Sequence, residues 1–243
     1  VNDLVKTGST DLATGGMMGM EPEQSISSRD IQIPKVIIMQ PGSPEVIDGK
    51  RVFGEVIETA NETVLASANE ENSFEFIPFM WSKKWIIRRN VEGIFKFKRI
   101  EDITIENEKL NPYELFEEDN EQCKRELAHF YQVMIPGEPL PLTMCFRGGS
   151  RSNGEKLLTQ MYITNKTRKT TETVEVKGRQ VPYLNSAAGT VMKCTPVKRK
   201  NKQGNNYCVI TVSKSRDVTS EEFLEALNWF WFTCIFFYTV INS

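Results

Sequence analysis

The 243-residue sequence holds a single histidine, His129, and five cysteines, none of which forms a C-x-x-C pair. One histidine leaves a Ser-His-Asp arrangement nothing else to use, and no G-x-S-x-G elbow accompanies it. Between Ala128 and Phe130, on an apolar stretch, His129 reads as a core residue rather than a catalytic one. The cysteines lack the spacing of a zinc knuckle or a disulfide framework. They read as reduced, mostly buried thiols of a cytoplasmic protein. No basic segment followed by an apolar run opens the sequence, so no signal peptide is expected. The uncharged run from Trp229 to Ile241 is shorter than the ~20 residues that span a bilayer, so a membrane is not an expected partner. No repeat of fixed period is present, and no cofactor or metal is expected.

Charge is present but sorted. The whole chain carries a formal net charge of -2. Residues 147–216 nevertheless hold fifteen Lys and Arg against three Glu, and residues 81–99 hold seven against one. Residues 100–126 reverse the sign, with ten acids against three cations. Segregation of this kind builds a dipolar surface, and its basic side favours a polyanion. The plain alternative is a set of solvated, Lys-rich loops.

Residues 1–29, rich in Gly and Ser without apolar periodicity, are expected to form a flexible arm. Residues 30–228 read as a single β-rich domain and 229–243 as an apolar C-terminal segment. Strand patterns cover Ile31–Met39, Val52–Ile57, Phe74–Trp81, Trp85–Val91, Ile94–Phe97, Leu127–Ile135 and Leu140–Phe146, with Lys83-Lys84 in a turn. Residues 58–73 read as a loop or short helix, and Tyr113–Asn120 as a short acidic helix. Ser152 and Glu155 have the spacing of a capping box before a helix through Leu157, Leu158, Met161 and Tyr162. A hairpin turning at Lys177-Gly178 follows. The clearest hairpin is Thr190–Val197 and Tyr207–Val212, joined by Lys198-Arg199-Lys200-Asn201-Lys202 and its neighbours. A helix begins near Thr219. The pattern is mainly β (α+β): an OB-like small barrel or a curved antiparallel sheet, with one inserted helix and a C-terminal helix.

Enzyme chemistry finds little support. Gly149 to Lys156 follows a strand and opens a helix as a phosphate loop does, but Glu155 intervenes before the lysine and Leu157 replaces the hydroxyl. The same loop, flanked by Arg147 and Arg151, is still suited to holding one backbone phosphate through its free N–H groups. The acids Glu114, Glu117, Glu118, Asp119 and Glu121 form one run, which reads as a solvated face. Aromatic and basic residues interleave in Lys83, Lys84, Trp85, Arg88 and Arg89, and again in Phe95, Lys96, Phe97 and Lys98. Single-stranded nucleic acid asks for these two components, rings for the bases and cations for the phosphates. Trp85 is the candidate stacking residue, whereas Trp81 is expected to pack inside. Lys198, Arg199, Lys200 and Lys202 at a hairpin tip would clamp a strand. No recognition-helix pattern favours duplex.

A resemblance follows from Ile31-x-Ile33-Pro34-Lys35, Gln40, Ser43-Pro44-Glu45-Val46 and Gly54-Glu55, with Phe76–Trp85, Leu142–Phe146, Lys156-Leu157-Leu158, Tyr207–Val212 and Glu221–Ala226. Over about residues 30–230 the sequence resembles a family of phage and prophage proteins. Their setting is similar to that of phage replication and recombination proteins such as single-stranded-DNA-binding proteins. The resemblance implies a process and a compartment, the cytoplasm of an infected or lysogenic bacterium, and assigns no site residues. The chain departs from that family in its apolar end. Together these features give the expectation of a non-enzymatic single-stranded-DNA-binding protein. Other phage replication or recombination proteins and further copies of itself are its candidate associates. The competing expectation is a phage scaffold or interaction module whose basic face meets an acidic protein.

Overall fold

The chain separates into two units, Val1–Gln32 and Ile33–Ser243. The computed structural model describes residues 34–112 and 114–241, with side chains as far as Cys234. The arm expected over 1–29 and the start of the first strand lie outside the described residues. The elements run β1 (Lys35–Ile38), α1 (Pro44–Ile47), β2 (Glu55–Glu58), β3 (Val64–Ser67), β4 (Phe74–Val91), β5 (Ile94–Asp102), β6 (Leu115–Glu118), β7 (Glu121–Met134) and β8 (Leu142–Phe146). Then follow α2 (Arg151–Thr159), β9 (Thr173–Val176), β10 (Arg179–Pro182), β11 (Thr190–Lys200), β12 (Asn206–Asp217) and α3 (Ser220–Ile241).

Ten strands form one sheet in the order β12-β11-β4-β7-β8-β1-β2-β3, with β5 added to β4 and β6 to β7. Every pairing in it is antiparallel except β1 with β8. β9 and β10 make a separate hairpin. The sheet curls strongly into an OB-like half-barrel, because both of its ends feed one core. Val56 and Ala66 come from one end, Met192, Cys194 and Ile210 from the other. Tyr131, Met144 and Phe146 fill the middle, and α2 with the turn after it adds Leu157 and Met161 from above. That helix lies close to the sheet because residue 154 is glycine. A Cβ there would sit 2.8 Å from Phe146 Cβ and 3.2 Å from His129 Cβ. Tyr131 Oη donates to the Gly154 carbonyl at 2.6 Å, which fixes the helix on the strand.

The curl leaves a seam between β1 and β12, and side chains close it. The Gln40 amide donates to the Cys208 carbonyl at 2.8 Å and accepts from the Cys208 N–H at 3.0 Å. Ser150 Oγ accepts from the Ile210 N–H at 3.1 Å. Backbone groups on the outer edge of β12 are thus satisfied without a neighbouring strand, as buried polar groups require.

A second cluster buries Phe223 and Ala226 of α3 against Ile77, Phe79 and Met134 of the sheet and Tyr183 and Leu184 after β10. The start of α3 is a capping box: Thr219 Oγ1 accepts from the Glu222 N–H at 3.2 Å, and Glu222 accepts from the Thr219 N–H at 2.9 Å. The helix continues through Asn228 and Trp229 without a break. Among the described residues no helix is long and apolar enough to cross a membrane.

Several expected elements are corrected. Lys83-Lys84 is no turn; both lie inside the 18-residue β4, whose pairing with β7 breaks register between Pro78 and Met80. The acidic helix is instead β6 and the start of β7, joined at Asp119-Asn120, whose φ values of 52° and 60° suit a two-residue hairpin turn. Residues 64–67, expected as loop or helix, form β3. The Ser152–Glu155 box is not made, because α2 begins two residues earlier, with Ser150 at its N-cap, and Glu155 accepts from Arg151 instead. Lys198, Arg199 and Lys200 extend β11 rather than lying in its loop.

Gln40→Ala leaves two half-buried groups of Cys208 without partners. It is expected to cost about 1–3 kcal/mol, read as a lower urea midpoint at unchanged m-value. An unchanged midpoint would show that the seam closes without this residue.

Candidate nucleic-acid interface

Strand alternation assigns the two faces of the long strands. Odd-numbered residues of β4 from Trp81 to Ile87 share a face with Tyr131, His129, Leu127 and Arg125, the face that α2 covers over its inner part. Even-numbered residues, Lys84, Ile86 and Arg88, share the outer face with Ala128, Glu126 and Lys124.

Trp85 falls on the inner face. It is 2% exposed, packed with Ile87, Cys123 and Leu127, and its indole donates to the Asn107 carbonyl at 3.3 Å. It is therefore a core residue and is not offered to a base. Trp81, expected inside, is only partly buried. Its indole donates to His129 Nδ1 at 3.1 Å, and its ring meets the exposed Tyr162 edge-on. His129 is 3% exposed, and burial pushes its pKa down.

Most cations of β4 and β5 are already neutralised. Lys84 meets Asp102 at 2.8 Å and Arg89 meets Glu121 at 2.9 Å. Lys98 reaches Glu118, Asp119 and Glu121 at 3.0–3.1 Å. Arg99 bridges Glu101 and Glu118. The Arg99 guanidinium, with Lys98 beside it, holds the Glu118 carboxyl down at about 2, and Lys98 lowers Glu121. The acidic segment 100–126 folds back on the first basic segment, so Lys84, Arg89 and Lys98 are not available as first expected. Lys83 and Lys96 have no acidic partner among the described residues, but they lie on the inner face.

The outer face is different. Phe97 of β5 lies opposite Arg88 of β4, Arg88 opposite Lys124 of β7, and Lys124 opposite Leu115 of β6. The row thus crosses four strands at about 4.8 Å per step. Phe97 is 58% exposed and Leu115 53%. Phe95 shares this face, with Lys124 Nζ 5.7 Å from its ring centre. Arg88 Nε donates to Glu126 Oε2 at 3.2 Å, and Arg147 Nη1 approaches the same oxygen at 3.8 Å.

Beside this row β7 has no strand over residues 125–128, because β6 pairs only to Lys124 and β8 begins at His129. The Arg147–Ser150 turn occupies the gap. Gly148 has φ +51°, and a Cβ there would sit 3.3 Å from Glu126 Oε1. At Gly149 a Cβ would press on Val209 and on the Tyr207 ring, at 3.1 and 3.2 Å. The result is an open cleft of about 370 Å³ lined by Arg88, Glu126, Arg147, Gly148, Gly149 and Tyr207, among others. Tyr207 pairs in register with Arg199, which places that cation on the same face. Arg199, Lys200 and Lys202 are exposed and have no acidic partner among the described residues.

The structure therefore brings together Phe95, Phe97, Arg88, Arg147 and Arg199 of the expected set, with Lys200 and Lys202 beyond them at the hairpin tip. Lys198 is tied back instead, bonded to Asn69 and lying 5.2 Å from the Phe53 ring centre. Arg151 is paired with Glu155 at 3.1 Å. Lys124, Glu126 and Tyr207 were not among the expected residues. Tyr207 had a readable signal, an aromatic residue at the foot of a basic hairpin. The Cys145 thiol lines the cleft, but burial pushes its pKa up to about 12, so it remains protonated. Among the described residues no group of His, Cys, Asp and Glu converges as a metal site. The chain matches no family model, no curated protein and no solved structure.

The ion-pair cluster makes a prediction about pH. Folded Glu118 ionises near 2 instead of 4.5, so its stabilising contribution is fully present above about 4.5 and is lost as pH falls towards 2. Glu118→Gln is expected to lower the thermal midpoint at pH 7. That difference should close progressively below pH 4.5. A difference that persists at pH 2 would contradict this assignment.

Proposed function

We propose that this protein binds single-stranded DNA without catalysing a reaction, in phage replication or recombination. The observation that carries the proposal is the continuous outer-face track from Phe97 through Arg88 and Lys124 to Arg147, Tyr207 and Arg199. Exposed Phe97 and the Tyr207 ring supply stacking surfaces. The arginines and the N–H groups of the Gly148–Gly149 turn face phosphates, which is the division of labour that single strands require. The resemblance to phage replication and recombination proteins supports the setting. A track on the convex side of a half-barrel, without a protruding helix, suits a flexible strand better than a duplex groove. The competing reading, an acidic protein as partner, draws on the apolar members of the same surface, Ile100 and Leu115, both exposed.

Titration with oligo-dT and with duplex at several salt concentrations separates these. With about four to six phosphate contacts, the log–log slope for single strands is expected near −3 to −4. Salt-independent affinity, or equal affinity for duplex, would remove the proposal. Phe97→Ala is expected to lose about 1–3 kcal/mol of binding with little change in stability. Trp85→Ala is expected to lose about 3–5 kcal/mol of stability while binding normally when folded. The reverse pattern would place the stacking surface on the other face. Replacing Arg199, Lys200 and Lys202 together by Ser should flatten the slope by about 2.

A further inference from the structure

Glu126 is out of place in an anion-binding cleft. Among the described residues it is the only acid lining it, and its side chain is 13% exposed. One of its oxygens is shared by Arg88 at 3.2 Å and Arg147 at 3.8 Å, while Gly148 brings the backbone against the other. A carboxylate and a phosphodiester present a guanidinium with the same thing, a pair of oxygens carrying one negative charge. Glu126 therefore stands where a phosphate of a bound strand would seek its donors. The two arginines are not equally committed. Arg88 is the closer, with 23% of its side chain exposed; Arg147 is farther, with 46% exposed.

We infer that Glu126 is a resident competitor for the backbone phosphate, which must take Arg147 from it on binding. This rests on reading the cleft as a strand-binding site. Arg88 stays on Glu126, which holds that guanidinium in place and keeps the pair of arginines from acting as a full double charge. Arg147 is the arm that exchanges between the carboxylate and the ligand. Such a contact holds affinity at this point of the strand below what two arginines alone would give. It makes Glu126 a positioning residue that sets how readily the strand is released.

The test compares the native chain, Glu126→Gln and Arg147→Ala for oligo-dT binding as a function of salt. Glu126→Gln nearly preserves shape and removes the competing charge. It is expected to bind about tenfold tighter, with a slope steeper by about 0.7 and slower dissociation. An ion pair that serves the fold alone gives equal or weaker binding and a lower thermal midpoint, and that result would overturn the inference while leaving the proposed function intact. Absence of binding by the native chain and by Glu126→Gln would overturn both. Should Glu126→Gln not fold, Arg147→Ala, a change at an exposed side chain, carries the test. It must weaken binding and flatten the slope by about 0.7, and native-like binding by this variant would overturn the inference.

Discussion

The pairing of β4 with β7 is the constraint on which the rest depends. It runs from Ile77 opposite Met134 to Arg89 opposite Cys123, longer than any other antiparallel pair in the sheet. Each strand then uses its other edge twice. β4 takes β11 at Phe74–Phe76 and β5 at Lys84–Val91; β7 takes β6 at Glu121–Lys124 and β8 at His129–Val133. One end of the pair builds the curled core under α2. The other carries a small four-strand extension with its own cluster around Trp85. The gap that admits the Arg147–Ser150 turn exists only because β7 is longer than the strands that flank it.

That geometry decides which charges act. Counting lysines and arginines along β4 and β5 suggests a uniformly basic ribbon. In space, the acidic hairpin of β6 and β7 lies beside it, and Glu118, Asp119 and Glu121 occupy Lys98, Arg99 and Arg89. Exposed pairs like these add little stability one at a time. As a connected network they do fix the register of β5, β6 and β7, and they remove cations from the reach of a polyanion. Of the cations with no acidic partner among the described residues, Lys83 and Lys96 lie on the inner face and Arg199, Lys200 and Lys202 at the β11–β12 hairpin, while Arg88 and Arg147 share Glu126 on the outer face.

Much of this was legible in the residues. The Lys177-Gly178 turn and the helix start at Thr219 follow from turn and cap chemistry and are found there, and the last hairpin is found with its first strand running three residues further, to Lys200. Phe95 and Phe97 share a face because strands alternate, as expected. Misreadings came where a local signal had two meanings. Lys83-Lys84 reads as a turn because polar residues break an aromatic run, yet both lie mid-strand in β4, where Lys84 is paired on both sides and its ammonium meets Asp102. Asp119-Asn120 fits the end of an acidic helix by composition, but this dipeptide also suits the positive φ values of a tight hairpin. Trp81 and Trp85 are expected on different faces because the sequence pattern sets a turn at Lys83-Lys84 between them; one continuous strand puts both odd-numbered residues on the inner face. Glu126 and Lys124 gained their meaning only from neighbours on other strands, which one-dimensional spacing does not reveal.

A bound single strand is proposed to lie along the outer face, over Phe97 and Tyr207, and not along the inner face at Trp81 and Tyr162. Photocrosslinking with an oligo-dT carrying halogenated uracil, followed by mapping of the modified peptides, tests this directly. Adducts on Phe97 and Tyr207 are predicted. Adducts confined to Trp81 or Tyr162 would contradict the account.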